Sequence, residues 1–309
     1  MNFANKPSWA PSKPANSSAS SGTVARVLTA AVLIPFVVAA VWWGPTALVA
    51  ALGGAVAVLA LLEFFAIGAR LNLQGYRVWT SICALGIFFQ QWSARAAQSY
   101  QVGRNLRLTQ SSAMPEVPLE LVFFIFVIGC AATIFISKRP LAGVLGDLGI
   151  SAAGLLFIAL PLSAIVRIHA VPIIGPKLLL FTLVLVWVGD TLAYFVGRSF
   201  GRVPMAAQLS PRKTWEGAAA NLLGAAIVGV ALFGWLHIDA FHAVLMACLA
   251  NVAGQAGDLL KSAYKRGAGV KDSGTLLPGH GGILDRIDAL ILAAPVVWYY
   301  FRFLLASRF

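Results

Sequence analysis

The chain has 309 residues, of which 59% are hydrophobic and only 11% charged, and its mean hydropathy is +0.82. So much apolar surface cannot be hidden inside one water-soluble core, which excludes an ordinary soluble domain and leaves the lipid bilayer as solvent. The formal net charge of +12 does not point to nucleic acid, because the basic residues are scattered through short links between apolar runs and form no basic domain. Cys83, Cys130 and Cys248 are odd in number, widely spaced and set in apolar surroundings, which fits buried thiols better than disulfides or a zinc site.

The first 22 residues are rich in Ser, Ala, Pro and Asn, with Lys6 and Lys13 as their charges, and read as a disordered polar tail. The apolar run after Arg26 is expected to be retained as a first span, because a long polar lead and the lack of a convincing cleavage site argue against a signal peptide. Crossing the hydrocarbon core takes about 20 residues. Runs that qualify lie at 27–43, 46–67, 79–89, 121–136, 148–166, 178–196, 218–236, 243–260 and 287–305; the third is short and needs its flanks or is re-entrant. The stretch 91–118 carries three Arg and no apolar periodicity, so it reads as an outer loop.

The predicted fold class is therefore all-α, a polytopic transmembrane helical bundle of about nine spans. It divides into the tail (1–22), N-terminal transmembrane helices (23–177) and a C-terminal catalytic region with cytoplasmic-face loops (178–309). With the N-terminus inside, 16 of the 23 basic residues fall on the inner side. The positive-inside rule then favours N-inside and C-outside, and puts both longer C-terminal polar loops in the cytoplasm. A bacterial cytoplasmic membrane is the expected location.

Of the 11 acidic residues, Asp190, Glu216, Asp239, Asp258, Asp272, Asp285 and Asp288 all lie beyond Leu180. An intramembrane carboxylate costs roughly 2.5–3.5 kcal/mol at mid-bilayer depth, so something must offset it. Asp258, Lys261 and Ser262 share one face of the eighth span at i, i+3 and i+4; alone, they make a helix-end ion pair. The next stretch adds Lys265-Arg266, then Lys271-Asp272-Ser273-Gly274, then Pro278-Gly279-His280-Gly281-Gly282-Ile283-Leu284-Asp285-Arg286-Ile287-Asp288. The amides of Gly281 and Gly282 precede a helix start, where phosphate is favoured, and Asp285 and Asp288 are one turn apart. Carboxylates beside basic residues and Gly turns suit a Mg²⁺-nucleotide site, hence phosphoryl or nucleotidyl transfer. Singly, these features have blander readings. His280 could cap a turn, Asp190 and Tyr194 at i and i+4 could be a core polar pair, and Ser210-Pro211 could be an N-cap followed by Pro at N1.

The run from Ser262 through Lys265-Arg266, Lys271-Asp272 and Leu277 to Asp288 resembles the full signature of the phosphatidate cytidylyltransferase (CDP-diacylglycerol synthase) family. Upstream, Gly189–Arg198 and Ser210–Gly217 resemble further family blocks, with Arg212 standing where Lys is common. The resemblance runs from about Leu178 to Leu305. It implies that phosphatidic acid attacks the α-phosphorus of CTP, giving CDP-diacylglycerol and pyrophosphate, with Mg²⁺ and room for a second cation such as K⁺. It further implies Asp258 and Asp285 as metal ligands, Asp288, Asp190 and Lys271 as further catalytic groups, and Arg212, Lys213, Lys265 and Arg266 as phosphate partners. Ser210, Thr214, Ser262, His280, Gly281, Gly282 and Arg286 complete the expected substrate contacts, and a homodimer is allowed. Another lipid phosphate could replace phosphatidic acid, since the motif reads the phosphate and not the tail. An ion-coupled transporter would also use intramembrane carboxylates, but near mid-membrane in both halves of a repeat. Glu63, inside the second span, is read as structural or cavity-lining.

Overall fold

The computed structural model describes residues 19–105, 117–137, 140–274 and 281–306, with side chains from residue 31 onward except 95–105. In chain order come α1 (Ala19–Trp43), α2 (Thr46–Ala69), α3 (Arg77–Asn105) and α4 (Leu119–Ile136). A broken fifth segment follows: a 3₁₀ turn (Leu141–Gly143), α5 (Val144–Gly154), a π-helical turn (Leu155–Ala159), α6 (Leu160–Leu162) and α7 (Ala164–His169). Then come α8 (Gly175–Phe200), strands β1 (Pro204–Ala206) and β2 (Ser210–Thr214), α9 (Trp215–Leu236), α10 (Ala240–Gly267) and α11 (Leu284–Tyr300), the last prolonged by a π turn (Phe301–Leu305).

Among the described residues, seven helical stretches are long and apolar enough to cross a membrane: α2, α4, Leu141–His169, α8, α9, α10 and Leu284–Leu305. Large side chains such as Phe124, Phe135, Leu145 and Leu223 point outward from them. In water that surface would be prohibitive; in lipid it is the expected exterior. The protein is thus an integral, multi-pass membrane protein. Both remaining predicted spans are also helical, α1 being apolar over Ala31–Trp43.

Three expectations are corrected. The predicted loop over 91–118 is helical as far as Asn105, because 91–105 holds no Pro and a single Gly among good helix formers such as Gln, Ala and Arg; 106–116 lie outside the described residues. The predicted tail shortens at its end, since α1 begins at Ala19. The bundle fits the expected all-α class, with one short β-hairpin beside the helices. The antiparallel hairpin β1–β2 pairs Pro204 with Thr214 and Ala206 with Ser210, so Ser210 begins a strand and caps no helix. The cap belongs to Thr214, whose hydroxyl accepts the Gly217 N–H at 3.2 Å and starts α9.

The π turn has a local cause. Pro161 lacks the N–H that would bond Phe157, so the ladder widens there and the Leu160 N–H donates to the Leu155 carbonyl five residues back.

Helices α8 to α11 alternate in direction. The α9–α10 link is only three residues, made possible by His237 in the left-handed region (φ 55°) and by Asp239, whose carboxylate accepts the Phe241 N–H at 2.9 Å. Small residues let these helices approach closely, as membrane helices must without a hydrophobic force between them. A Cβ on Gly224 would lie 3.2 Å from the Gly189 Cα, and one on Gly257 would lie 2.4 Å from the Asp288 carbonyl oxygen. One apolar core joins α7 to α11, and a second joins α2 to α7 with Leu284 and Ile291 of α11, so α11 is a shared wall.

Gly257→Val should push α11 off α10 and cost about 1–3 kcal/mol, as overpacking does. In detergent its melting temperature should drop by several degrees, whereas Gly267→Val, where an added Cβ meets nothing within 4 Å, should melt like wild type.

Candidate active site

Four helix ends and the hairpin meet at one end of the bundle: the C-terminal parts of α8 and α10, the starts of α9 and α11, and β2. Lys261 on α10 is buried there among three carboxylates. Its ammonium lies 3.2 Å from Asp258, 3.2 Å from Asp285 and in direct contact with Asp288. Asp258 also pairs with Lys213 of β2, and Asp285 with Lys265 at 2.6 Å. The i, i+3 spacing of Asp258 and Lys261 on α10 makes the first pair; the antiparallel approach of α11 supplies the others.

Three aspartates and three lysines therefore balance, which is the condition for holding such a cluster in a low-dielectric region. The carboxylates are not equally accessible. Asp258 has 33% of its side-chain surface exposed, against 13% for Asp285 and 11% for Asp288.

Beside the cluster lies a small, partly open cleft. Phe64, Phe157, Ile158, Tyr264, Ile291 and Leu292 form its apolar lining, and Lys261 and Asp288 its polar edge. Tyr264 meets Phe64 edge-on with ring centroids 5.5 Å apart, and Phe157 is brought to the cleft by the π turn.

A polar ladder crosses the neighbouring helices. Asn221 donates to Asp190 at 3.2 Å, Asn251 donates to Asn221 at 2.5 Å, and Gln255 donates to Asn251 at 2.8 Å and to the Ala218 carbonyl at 3.3 Å. Asp190 is thus held by an amide, and among the described residues it forms no lysine ion pair. Gly189 makes room, since its Cβ would sit 2.0 Å from the Asn221 oxygen.

The other expected residues divide by position. Arg212, Lys271 and Arg286 are exposed around the same end, and Arg266 pins the hairpin turn to α10 through the Leu209 carbonyl at 3.1 Å. Thr214 caps α9, while Ser262 donates its hydroxyl to the Asp258 carbonyl at 2.8 Å. Gly281 takes φ +78°, and a Cβ there would lie 3.5 Å from Asp285. His280 lies outside the described residues.

The helix start predicted to favour phosphate holds a carboxylate of the chain itself. Glu63 of α2 accepts the N–H groups of Ile283 at 2.9 Å and Leu284 at 3.0 Å, and the Ser273 hydroxyl at 2.8 Å. Sequence reasoning read Glu63 only as structural or cavity-lining, gave Lys261 only as the ion-pair partner of Asp258, and passed over Asn221, Asn251 and Gln255. The available signal for the amides was one polar side chain per turn-facing position inside otherwise apolar spans.

A divalent ion fits this donor set. Carboxylate oxygens are hard ligands, and Mg²⁺ is commonly held by one or two of them with waters and substrate phosphates filling the remaining positions. Among the described residues no group of three His, Cys, Asp or Glu side chains is arranged to hold a metal ion by itself.

The comparisons bear on this geometry. The sequence profile of the Cytidylyltransferase family matches residues 24–304. The chain is 35% identical over 295 residues to phosphatidate cytidylyltransferase of Haemophilus influenzae, covering 91% of this chain and 99% of the relative. It is 39% identical over 127 residues to phosphatidate cytidylyltransferase of Bacillus subtilis, covering 40% of this chain and 47% of that one. The corresponding match in Brucella abortus is 36% over 153 residues, covering 49% and 57%. A profile match running from α1 into the π turn after α11, together with a relative aligned nearly end to end, means that the chain belongs to the Cytidylyltransferase family.

Proposed function

We propose that the protein transfers a cytidylyl group from CTP to phosphatidate, forming CDP-diacylglycerol and releasing pyrophosphate. The observation that carries this reading is the juxtaposition of a charge-balanced Asp–Lys cluster with an apolar cleft at one end of a membrane-embedded bundle. One substrate is a polyanion from water and the other a phosphate on two acyl chains, and this is where each finds its own solvent.

A phosphatidate phosphate oxygen attacks the α-phosphorus of CTP, and the bond from that phosphorus to the bridging oxygen of the β-phosphate breaks. The phosphate monoester already carries close to two negative charges near pH 7, so charge neutralisation and alignment matter more than a general base. Lys213 and Lys265, paired with Asp258 and Asp285, would turn to triphosphate oxygens when CTP enters. Arg212, Arg266, Lys271 and Arg286, exposed at the rim, draw CTP in and steady the departing pyrophosphate. Lys261, enclosed by three carboxylates, keeps Asp258, Asp285 and Asp288 together before substrate arrives. Asp258 and Asp285 are the residues that would hold Mg²⁺, with or without a second cation such as K⁺. When bound, the ion neutralises charge on the transferring phosphate. Asp190, fixed by its amide ladder, supports the α8 side, and Ser210, Thr214, Ser262, His280 and Gly281 complete the expected phosphate surroundings, whereas Gly282 is packed against Glu63.

The cleft receives the glycerol end of the lipid while the acyl chains stay among the helices, because drawing them into water costs about 0.8 kcal/mol per CH₂. The end of the bundle carrying the site faces the cytoplasm in the orientation favoured by the basic residues, where CTP is found, and a bacterial inner membrane suits the bacterial relatives. The site is built from one chain, so the homodimer allowed by the resemblance would carry two of them.

Purified protein in detergent, given labelled CTP, phosphatidate and Mg²⁺, should form lipid-extractable CDP-diacylglycerol, and chelation of the metal should abolish it. Asp258→Asn and Asp285→Asn should each lower the rate by about 100-fold or more while the helical signal is kept. Absence of product from folded wild type would overturn the assignment, and product with a different lipid phosphate would redirect it.

Leu292→Trp should narrow the cleft. Its KM for phosphatidate should rise about 10-fold, the size of effect a lost apolar contact produces, with the KM for CTP within about two-fold of wild type. Equal rises in both constants would argue against a lipid cleft.

A further inference from the structure

We propose that Glu63, on α2, is a positioning residue of the active site that fixes Asp285 by holding both the start of α11 and the loop bearing Ser273. The proposal rests on the reading of Asp285 as part of the cytidylyl-transfer site.

Glu63 is 8% exposed and lies 220 residues from the helix it caps. Its two carboxylate oxygens divide the work. Oε1 accepts the Ile283 N–H, while Oε2 accepts the Leu284 N–H and the Ser273 hydroxyl. These amides open α11, where Ile283 makes no side-chain cap bond of its own, so the cap that the local sequence lacks comes from a distant span. An anion at a helix N-terminus is also favoured by the aligned peptide dipoles. Among the described residues Glu63 forms no ion pair, so it braces the site without cancelling one of its lysines.

The fit leaves no slack on the loop side. A Cβ on Gly274 would lie 2.7 Å from Oε1, and one on Gly282 would lie 2.2 Å from Oε2. Backbone therefore packs directly on the carboxylate and shields it from a phosphate, which distinguishes Glu63 from a residue that touches substrate. The link onward to Asp285 is explicit. Asp285 Oδ2 accepts the Ser273 N–H at 3.1 Å and lies 2.9 Å from the Ser273 hydroxyl oxygen. That hydroxyl has one hydrogen between two carboxylates and can donate to one at a time. The backbone N–H holds Asp285 in either case. Move Glu63, and both Ser273 and the first turn of α11 lose their anchor, so Asp285 loses its aim toward Lys261 and Lys265.

The test uses the full chain in detergent with Glu63→Gln, Ser273→Ala and the double variant. Gln keeps the volume but offers one acceptor oxygen and turns an NH₂ group toward N–H donors. Glu63→Gln should lower kcat about 10- to 100-fold, as loss of a supporting hydrogen bond does, with KM for CTP and phosphatidate within about three-fold and a higher Mg²⁺ concentration at half-activity. Without substrate or metal, its amides at Ile283 and Leu284 should exchange hydrogen faster while those in the middle of α9 are unchanged. The double variant should fall little below Glu63→Gln, because both substitutions act through one path. A folded Glu63→Gln protein with kcat within two-fold of wild type, or a double variant showing the product of two independent losses, would overturn the proposal. If Glu63→Gln does not fold, Ser273→Ala decides, since it leaves the helix cap in place: unchanged kcat and Mg²⁺ dependence would reject the relay. Wild type without product would instead reject the activity assignment itself.

Discussion

Placing three carboxylates at the end of a membrane bundle is possible only if their charge is met within a few ångströms, and Lys261 is how this chain does it. Much of the surrounding architecture follows from that requirement. Helices α10 and α11 must approach closely enough for one ammonium to reach side chains on both, which is why Gly257 faces the Asp288 carbonyl. The remaining imbalance is removed from the flanks, by Lys213 on a strand and Lys265 one turn further along α10. Replacing any one of these six groups by a neutral residue leaves a charge without its partner, and in such surroundings that costs more than the pair contributed.

The same neutrality has a functional side. A cluster that is balanced when empty has little to offer a triphosphate by attraction alone, so entry of CTP brings a large negative excess that must be met by added cations or by the exposed basic rim. The cleft beside the cluster adds no charge beyond the cluster's own. It brings apolar wall and cluster into one place, with Lys261 and Asp288 belonging to both.

How much of this could be read from residues alone depends on how local the cause was. Helices came through because apolar runs of about 20 residues have few alternatives in lipid, and all nine expected spans are helical, though only seven meet both length and apolarity among the described residues. The carboxylates were visible because charge inside apolar sequence is costly and therefore conspicuous. What stayed hidden was set by partners far away in the chain. Nothing near Glu63 announces that its acceptors are needed at Ile283, and nothing beside Lys261 says that Asp285 and Asp288 will fold onto it. The misread stretch 91–105 is a different failure: its polarity suggested a loop, yet its residues are good helix formers and no breaker intervenes. At Ser210, Pro invited a helix start, but pairing with Ala206 and the Thr214 cap moved that start four residues on.

The long span between Glu63 and its partners also has a meaning in time. At roughly 5–20 residues per second of synthesis, α2 enters the bilayer on the order of ten to forty seconds before the Ile283 and Leu284 amides leave the ribosome. Through that interval the Glu63 side chain must rely on water or on other partners, since the donors that suit it do not yet exist. Docking of α11 onto α2 therefore comes after insertion as a separate event, and the carboxylate waiting in α2 gives that event a fixed address.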